Sequence, residues 1–468
     1  MMGRTKGVYL FSALVVSGLA SPAFGAGMWN LDQGVSHYGR GGANIADPGD
    51  PSAVYINPAG LAGLKGLQFS IGGNLNLDTA TFERASDMQG PGDTERTFES
   101  TSNQETPSPS PTIFASYNLA ALGIDSLTMG LGIWGPPKTN RKWDEEGSQR
   151  YSSIYSRNLQ AHYVLSLAYE LPWQKIRLGA SLGGTSVIVD SGLKLNVYEK
   201  RRSFYVDRED PRFDMRAALS GVDHLIPNVI LGFSMELWRD STFAVSYQLP
   251  FDVNAEGEVD MGVTEELERL GTKVNGKDIE VKLSLPPILR VALNQKYSKG
   301  SVEVAGVWEG WKRNDKMVIV PDGISIQSMT DPEGSDLSDI EIDTLLRDTF
   351  SVRVGGDYAV NETVTMRAGT YYERAGIGAG RLNPSQFDLD KVGLSTGAHI
   401  DVGHNLYVDL ALGWSHWLPK TSENSKVLFN DPSPDDDPSN DEHWPLANGK
   451  YSNDQIFFMF ALGGEFDL

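Results

Sequence analysis

The sequence predicts an all-β protein, a transmembrane antiparallel β-barrel of about fourteen strands with an N-terminal plug, or hatch, inside its periplasmic end. Three observations support this prediction: an export signal at the start of the chain, alternating apolar and polar residues over most of the remainder, and links between the alternating runs that are short and long in turn. They divide the chain into a signal peptide over residues 1–25, the hatch over residues 26–65 and the barrel over residues 66–468.

The first 25 residues carry the export signal. Arg4 and Lys6 precede a mostly apolar run over residues 7–19, and small residues precede a predicted cleavage site after Gly25. This order is typical of a secretory signal peptide. The alternative is an uncleaved anchor, but the run is shorter than the ~20 residues that a spanning helix needs. No later window holds ~18 consecutive apolar residues, so a membrane-embedded chain must span with strands.

Fourteen alternating runs follow the hatch, and each is long enough to cross a bilayer as a tilted strand of ~9–11 residues. In the last run, Ile456, Phe458 and Phe460 share one face, while Gln455 and Met459 share the other. The runs lie near 67–81, 111–120, 125–135, 158–171, 175–198, 228–238, 242–257, 280–298, 301–319, 348–359, 362–374, 391–402, 405–420 and 455–468.

The links between the runs place the barrel in an outer membrane. Short and long links alternate, which puts every turn at one end of the barrel and every loop at the other, as in bacterial outer-membrane barrels. A soluble β-sandwich has many strands but no reason for this alternation. The long links lie at 82–110, 136–157, 199–227, 258–279, 320–347, 375–390 and 421–454.

The composition excludes several functional classes. The 61 acidic residues outnumber the 40 basic ones, which disfavours a nucleic-acid partner because phosphate binding needs clustered cations. The absence of Cys excludes disulfides and thiolate metal sites. The acidic run 431–438 is expected to be solvated outer-loop surface, with a divalent cation bridging it to lipopolysaccharide as the alternative. We predict no resident metal and no cofactor.

Tyr and Trp residues cluster near strand ends, as the aromatic girdles at membrane interfaces require. The predicted girdle residues are Trp134, Trp143, Tyr169, Trp173, Trp238, Trp308, Trp311, Tyr358, Tyr371, Tyr372, Trp414 and Trp417.

Residues 26–65 do not alternate and are rich in small and apolar residues. A compact segment of this kind is expected to plug the barrel, and an extended periplasmic tail is the alternative. Two motifs stand out: Gly39-Arg40-Gly41-Gly42-Ala43-Asn44-Ile45-Ala46-Asp47 and Asn57-Pro58-Ala59-Gly60-Leu61.

These two motifs, placed just before the first strand, closely resemble the FadL/TodX family of outer-membrane transporters of hydrophobic compounds. The resemblance covers essentially all of the chain after the signal peptide. Further matches are Leu285-Pro286-Pro287, Trp308-Glu309-Gly310-Trp311, Met366-Arg367-Ala368-Gly369-Thr370-Tyr371-Tyr372 and the Phe-rich last strand.

The family resemblance implies a fourteen-stranded barrel with a hatch, a hydrophobic docking groove in the outer loops, a lipid site in the lumen, and sideways exit through a break in the third strand. It implies passive transport of a long-chain fatty acid or another hydrophobic small molecule, since fatty acids and aromatic hydrocarbons both use this family. The expected partners are outer-membrane lipid, lipopolysaccharide and the barrel assembly machinery, and the protein is expected to be a monomer in the outer membrane of a Gram-negative bacterium.

Apolar loop residues are candidates for the docking surface. Phe213, Met215 and Leu219 lie with Leu225 and Ile226 in the third long link. In the fourth, Val263, Leu267 and Leu270 have helical spacing. The alternative is that short amphipathic helices pack these residues on the barrel rim.

Three arginines are candidates for a ligand carboxylate. Parity places Arg290, Arg353 and Arg367 on inward strand faces, where a guanidinium is able to pair with a carboxylate. The same parity also points four acidic side chains inward: Glu303, Glu309, Asp357 and Asp409. The stronger expectation is therefore that most of these arginines belong to a structural ion network that braces the barrel.

The third run carries residues that weaken a strand. Gly130, Gly132 and Gly135 reduce its stability, and Pro136 and Pro137 cannot donate to a ladder. These five residues are the candidates for the lateral opening implied by the family, and ordinary termination of the strand is the alternative.

Two catalytic motifs occur in the wrong context. A dinucleotide-type pattern at residues 130–135 has no helix after it, and a Gly-x-Ser-x-Gly pattern at residues 179–183 lies within an alternating run. We therefore predict no enzyme. The alternatives are a barrel hydrolase that uses His224 or His443 of the long links, or a general porin or adhesin.

Overall fold

The structure is a computed structural model that describes residues 32–467, apart from 91–93, 108, 137–139, 173–174, 197–208, 270, 329–330, 386, 426–427 and 430–443. The predicted signal peptide, residues 26–31 of the predicted hatch and the acidic run 431–438 lie outside the described residues. Within the described part, no helix is both long and apolar enough to cross a membrane.

Fourteen strands of the described residues form a closed antiparallel barrel, and β1 pairs with β14 to complete it. This confirms the predicted antiparallel barrel of fourteen strands. In chain order the strands are β1 (Leu67–Asp78), β2 (Ser110–Asn118), β3 (Leu127–Trp134), β4 (Tyr155–Glu170), β5 (Arg177–Asn196), β6 (Asp214–Trp238), β7 (Ser241–Gln248 and Phe251–Gly262), β8 (Asp278–Leu285 and Ile288–Tyr297), β9 (Gly300–Glu309 and Lys316–Asp322), β10 (Ile340–Asp343 and Thr349–Ala359), β11 (Val364–Glu373), β12 (Lys391–Gly403), β13 (Leu406–Ser422) and β14 (Gly449–Phe466).

Short helices and minor strands accompany the fourteen barrel strands. The helices are α1 (Val35–Gly39), α2 (Ala53–Ile56) and α3 (Glu265–Arg269), and 3₁₀ turns cover Pro58–Gly63, Leu119–Leu122, Pro211–Phe213, Trp311–Arg313 and Ala379–Arg381. The minor strands are Thr81–Arg84, Asp87–Gly90, Thr94–Arg96, Thr101–Ser102, Arg141–Lys142, Lys273–Asn275, Ser325–Ser328, Asp331–Asp336, Leu428–Phe429 and Trp444–Pro445.

The alternation along each strand separates a lipid face from a lumen face. In β14, Ile456, Phe458 and Phe460 are exposed on the outside, whereas Phe457 and Met459 are buried inside. Since side chains alternate with period two, every strand needs both an apolar outer row and a packed inner row. This two-faced wall explains why an integral membrane protein has a negative mean hydropathy.

The predicted loop over 199–227 is wrong for residues 214–227, which belong to β6. Met215 and Leu219 are buried strand residues; both pair with β5, and Leu219 also pairs with β7. The ladder with β5 shifts register near Leu225, whose φ is 60°. Such a bulge exchanges the inward and outward positions, so the alternation is interrupted and the strand looks like a loop in the sequence.

The girdle prediction is wrong for five residues. Trp134, Trp143, Trp311, Tyr371 and Trp417 are buried inside rather than exposed to lipid. A strand-end aromatic belongs to a girdle only if its parity points outward, and the outward set is Tyr169, Trp238, Tyr358, Tyr372 and Trp414. Trp308 is half-buried, and Trp173 lies outside the described residues.

Candidate functional site

Residues 32–65 lie across the lumen. Helix α1 contacts β11 to β14, while the 3₁₀ turn Pro58–Gly63 contacts β3 to β6 on the other side. Nearly all side chains of this segment are buried. The segment, called the inner segment below, is therefore held between opposite walls of the barrel.

Two glycines of the first motif allow the inner segment to approach the wall. Gly41 and Gly42 have φ values of 64° and 76°, in the left-handed region that favours glycine. A Cβ on Gly41 would lie 2.6 Å from the amide nitrogen of Thr370, and one on Gly42 would lie against the guanidinium of Arg353. A Cβ on their neighbour Gly39 would lie 3.3 Å from the Cα of Gly397 in β12.

Polar contacts then fix the first motif to β9 and β10. Nη1 of Arg40 donates to Oδ1 of Asn44 and to Oδ2 of Asp357, each at 2.9 Å. The carboxylate of Glu303 accepts from the amides of Ile45 at 2.5 Å and Ala46 at 3.1 Å. These bonds satisfy backbone donors that would otherwise be buried without partners.

The second motif is fixed to the opposite wall. Nδ2 of Asn57 donates to the carbonyls of Ile45 at 3.0 Å and Phe233 at 3.4 Å, and its Oδ1 accepts from the amide of Ala59 at 3.2 Å. Pro58 begins the 3₁₀ turn, and Gly60 lies so close to Pro48 that a Cβ would reach its Cδ at 2.7 Å.

Two of the three predicted arginines are tied into ion networks. Nη1 of Arg353 donates to Oδ1 of Asp32 at 2.5 Å, and Nη2 lies 3.4 Å from Glu373. Nη1 of Arg367 contacts Oδ1 of Asp409 at 2.6 Å. The network expectation therefore holds for these two residues.

Asp32 also accepts a contact from Nε2 of His37 at 3.1 Å. Burial raises the pKa of Asp32, but Arg353 and His37 outweigh burial, so the pKa lies well below its usual range. Burial lowers the pKa of His37 more than Asp32 raises it. The pair is accordingly an ionised carboxylate beside a neutral imidazole.

Arg290 differs from the other two arginines. Its Nη2 donates to the hydroxyl of Tyr55 at 2.8 Å, and its guanidinium lies 4.8 Å from the centre of that ring. Its Nη1 is buried without a hydrogen-bond partner, and the described residues supply no ion-pair partner. A buried cation with a free donor is able to bind an oxygen-bearing group.

An apolar lining leads from the outer end of the lumen toward Arg290. Inward-facing side chains of β6, β7 and β8 form one continuous buried cluster. The lining becomes polar below Leu285 and Ile288, where Arg290 and Asn294 follow. Its members are Met215, Ala217, Leu219, Phe251, Val253, Ala255, Val259, Met261, Ile279, Val281, Leu283, Leu285 and Ile288.

The predicted docking residues are distributed between this cluster and its rim. Met215, Leu219 and Leu267 are buried in the cluster, and Val263 packs partly exposed against it. Leu267 is on α3, as in the alternative of a short helix that packs on the barrel rim. Leu270 lies outside the described residues, as does the side chain of Phe213.

The third strand is interrupted, but not at Gly130 or Gly132. Gly130 and Gly132 belong to a continuous ladder in which β3 pairs with both β2 and β4. They face inward and make room for Val54, whose methyl carbons lie 2.7 Å and 2.5 Å from the Cβ positions. These two candidates for the lateral opening therefore do not interrupt the ladder.

The interruption begins after Trp134. The amide of Gly135 donates to the carbonyl of Pro111 at 3.3 Å, and the carbonyl of Pro136 accepts from Ser110 at 3.3 Å. Among the described residues, pairing with β4 is next found at Arg141–Lys142, one residue out of register. Gly135 and Pro136 lie at this break, and Pro137 is outside the described residues.

Comparison with known families decides the identity. The model of the family described as "Outer membrane protein transport protein (OMPP1/FadL/TodX)" matches residues 16–428. The chain belongs to this family. It is therefore a FadL/TodX-type outer-membrane protein that transports hydrophobic compounds, in a family of channels rather than enzymes. No curated protein sequence matches it significantly.

Solved structures share the FadL/TodX-type fold. A Pseudomonas aeruginosa FadL homologue matches with a TM-score of 0.73 and 16% identity, over 94% of this chain and 100% of the other. The Ralstonia pickettii toluene transporter TbuX matches with a TM-score of 0.65 and 17% identity, over 93% of this chain and 98% of the other. The Pseudomonas putida toluene transporter TodX matches with a TM-score of 0.65 and 14% identity, over 94% of this chain and 100% of the other.

Several residues that complete the lumen of this FadL/TodX-type protein could not be identified from sequence patterns. Asp32 and Tyr55 hold inward arginines, but both lie in the non-alternating inner segment, where parity assigns no direction. His162 stacks on Trp134 and Asn228 contacts His162, and folding alone brings these three residues together. The dinucleotide-type pattern and the Gly-x-Ser-x-Gly pattern both lie on strands, as expected.

Proposed function

We propose that the protein is a passive diffusion channel for long-chain fatty acids or other hydrophobic small molecules, with docking at the outer end, binding in the lumen and lateral release near the third strand. The observation that supports it best is the apolar lining of β6 to β8, which ends at the buried guanidinium of Arg290. An apolar wall with one placed polar group is typical of a small-molecule site.

Docking and binding are assigned to different parts of this lining. Val263 at the outer rim forms the entry, and Leu267, Met215 and Leu219 continue it inward. Arg290 binds the oxygen-bearing head group, while the alkyl or aromatic part contacts the lining. Arg353 and Arg367 are structural, because carboxylates of the protein already occupy them.

The inner segment, with residues 26–31, acts as the hatch. Its contacts with opposite walls support this role, because they would block free aqueous flow through the lumen. Release is then lateral, where the ladder between β3 and β4 ends after Trp134. The mature chain is proposed to be monomeric and to be inserted by the barrel assembly machinery next to lipopolysaccharide.

Uptake of labelled oleate and toluene by cells that express the protein tests this function. We expect uptake of at least one compound above the empty-vector control. Arg290→Met should reduce oleate uptake by about tenfold, the effect of one lost charge-assisted hydrogen bond, and leave toluene uptake unchanged. Arg239→Met, at the exposed β6–β7 turn, is the matched control. No uptake of either compound would refute the proposal.

A further inference from the structure

The turn that joins β2 to β3 is apolar and exposed. Its tip is the 3₁₀ segment Leu119–Leu122, none of whose residues is buried, and Gly123 and Ile124 follow it. Leu122 is 70% exposed and Ile124 is 46% exposed. Residues 119–124, called the apolar turn below, contain no charged or polar side chain. A contiguous group of exposed apolar side chains marks a contact with another apolar surface.

Four other short turns at the same end of the barrel differ from the apolar turn. Their tips carry charged or polar residues, which are suited to water. These residues are Arg239 and Asp240 between β6 and β7, Ser298 and Lys299 between β8 and β9, Asn361 and Glu362 between β10 and β11, and His404 and Asn405 between β12 and β13. The apolar composition is therefore not a general property of this end of the barrel.

The apolar turn continues the lipid-facing surface of the wall. Met129, Leu131 and Ile133 form an exposed outward row on β3. Leu127, where β3 begins, pairs with the girdle residue Tyr169 of β4. Aromatic girdles lie at the membrane interface, and short turns lie at the periplasmic end of outer-membrane barrels. The apolar turn therefore starts at the level of the inner leaflet.

The polar residues beside the apolar turn face the lumen. Asn118, Asp125 and Ser126 line an open cavity of about 1240 Å³, which Leu64 of the inner segment lines from the other side. Asp125 is the only charged residue in the link between β2 and β3. Its position leaves the outward side of the link free of charge.

Hydrogen bonds within the link fix the shape of the apolar turn. Oδ1 of Asn118 accepts from the amide of Ala120 at 3.0 Å. The amide of Gly123 donates to the carbonyl of Ala120 at 2.9 Å, and the amide of Ile124 donates to the carbonyl of Leu119 at 3.1 Å. Backbone groups that enter lipid need internal partners of this kind, because lipid supplies none.

We propose that the apolar turn inserts into the inner leaflet of the outer membrane, where Leu122 and Ile124 contact the acyl chains of phospholipids. The occupant is lipid rather than a periplasmic protein, because the exposed side chains form one surface with the lipid-facing row of β3. The inference goes beyond the proposed function and does not depend on which compound the channel carries.

Spin labelling tests the inference, because the chain has no Cys and a single introduced thiol is labelled alone. Leu122→Cys and the control Glu362→Cys each receive a nitroxide, and the purified barrels are reconstituted in phosphatidylethanolamine–phosphatidylglycerol vesicles. EPR saturation then measures collisions with oxygen, which concentrates in lipid, and with a water-soluble nickel chelate. We expect the oxygen-to-nickel collision ratio to be several-fold higher at position 122 than at position 362.

A second comparison tests whether the apolar side chains cause the insertion. A nitroxide on Ala121→Cys reports the position of the turn, and adding Leu122→Glu with Ile124→Glu should lower its collision ratio toward that of the control. Heat-modifiable migration on gels shows whether each barrel has folded.

Three results would overturn the inference. The first is an equal collision ratio at positions 122 and 362, and the second is an unchanged ratio at position 121 after the two Glu substitutions. The third is spin–spin broadening at position 122 that persists when the barrel is diluted in lipid, since a second copy of the chain would then cover the turn.

Discussion

Nη1 of Arg353 donates a hydrogen bond of 2.5 Å to Oδ1 of Asp32, and so joins the start of the inner segment to strand β10 across 321 residues of sequence. Both side chains are almost completely buried. A buried ion pair is costly to break because one charge is then left without a partner. This contact is therefore the anchor of the N-terminal end of the inner segment.

Removal of the carboxylate should release that anchor. Asp32→Asn leaves Arg353 buried without its main counter-charge, and we expect about 3–5 kcal/mol of destabilisation. The measurement is the denaturant midpoint of the purified barrel, together with protease cleavage of the inner segment. Asp240→Asn, in an exposed ion pair with Arg239, should change neither. Equal stability of Asp32→Asn and the wild type would refute the anchor.

Acidification should weaken the same anchor. The folded pKa of His37 is below its usual ~6.5, so the unfolded chain binds the proton first and stability falls as the pH drops below that value. The depressed pKa of Asp32 stabilises the fold above its ordinary ~3.9, and that contribution is lost as the pH falls through the folded value. Protease sensitivity of the inner segment should rise as the pH falls, and His37→Gln should remove the portion of this rise that occurs near pH ~6.5. A pH-independent profile would contradict this account.

The close approach at Gly42 should be intolerant of a side chain. Gly42→Ala places a methyl group against Arg353 and adds left-handed backbone strain, and we expect a loss of more than about 1–3 kcal/mol. Gly49→Ala is the matched control, because its φ of 72° gives similar strain but its nearest neighbour is 3.9 Å away. The denaturant midpoints of both variants separate the clash from the strain. Equal losses would show that the approach to Arg353 is unimportant.

Gly132 and Val54 should be energetically coupled. Gly132→Ala drives a methyl into Val54, and Val54→Ala opens a small cavity, so each single variant destabilises. The double variant should be more stable than the sum of the two losses predicts, by about 0.5–3 kcal/mol. Additive losses in this double-mutant cycle would mean that the two residues do not share the space.

The barrel was predictable from the sequence because alternation and link length are local signals. Parity alone placed Arg290, Arg353 and Arg367 inside. Parity failed in β6, where a bulge exchanges the two faces near Leu225, and it assigned no direction to Asp32. Asp32 and Arg353 are partners because of where the inner segment lies in the lumen. The spacing of residues in the sequence does not predict that position.

The central claim is lateral release through the break in β3. Deletion of Pro136 combined with Pro137→Thr removes the extra residue and restores donors, so that β3 can pair with β4 without interruption. Pro321→Thr, in β9 away from the break, is the control. The decisive measurement is the initial rate of oleate and toluene uptake by cells carrying each folded variant. The account predicts that the sealed variant loses uptake while the control keeps it, and uptake by the sealed variant at the wild-type rate would contradict it.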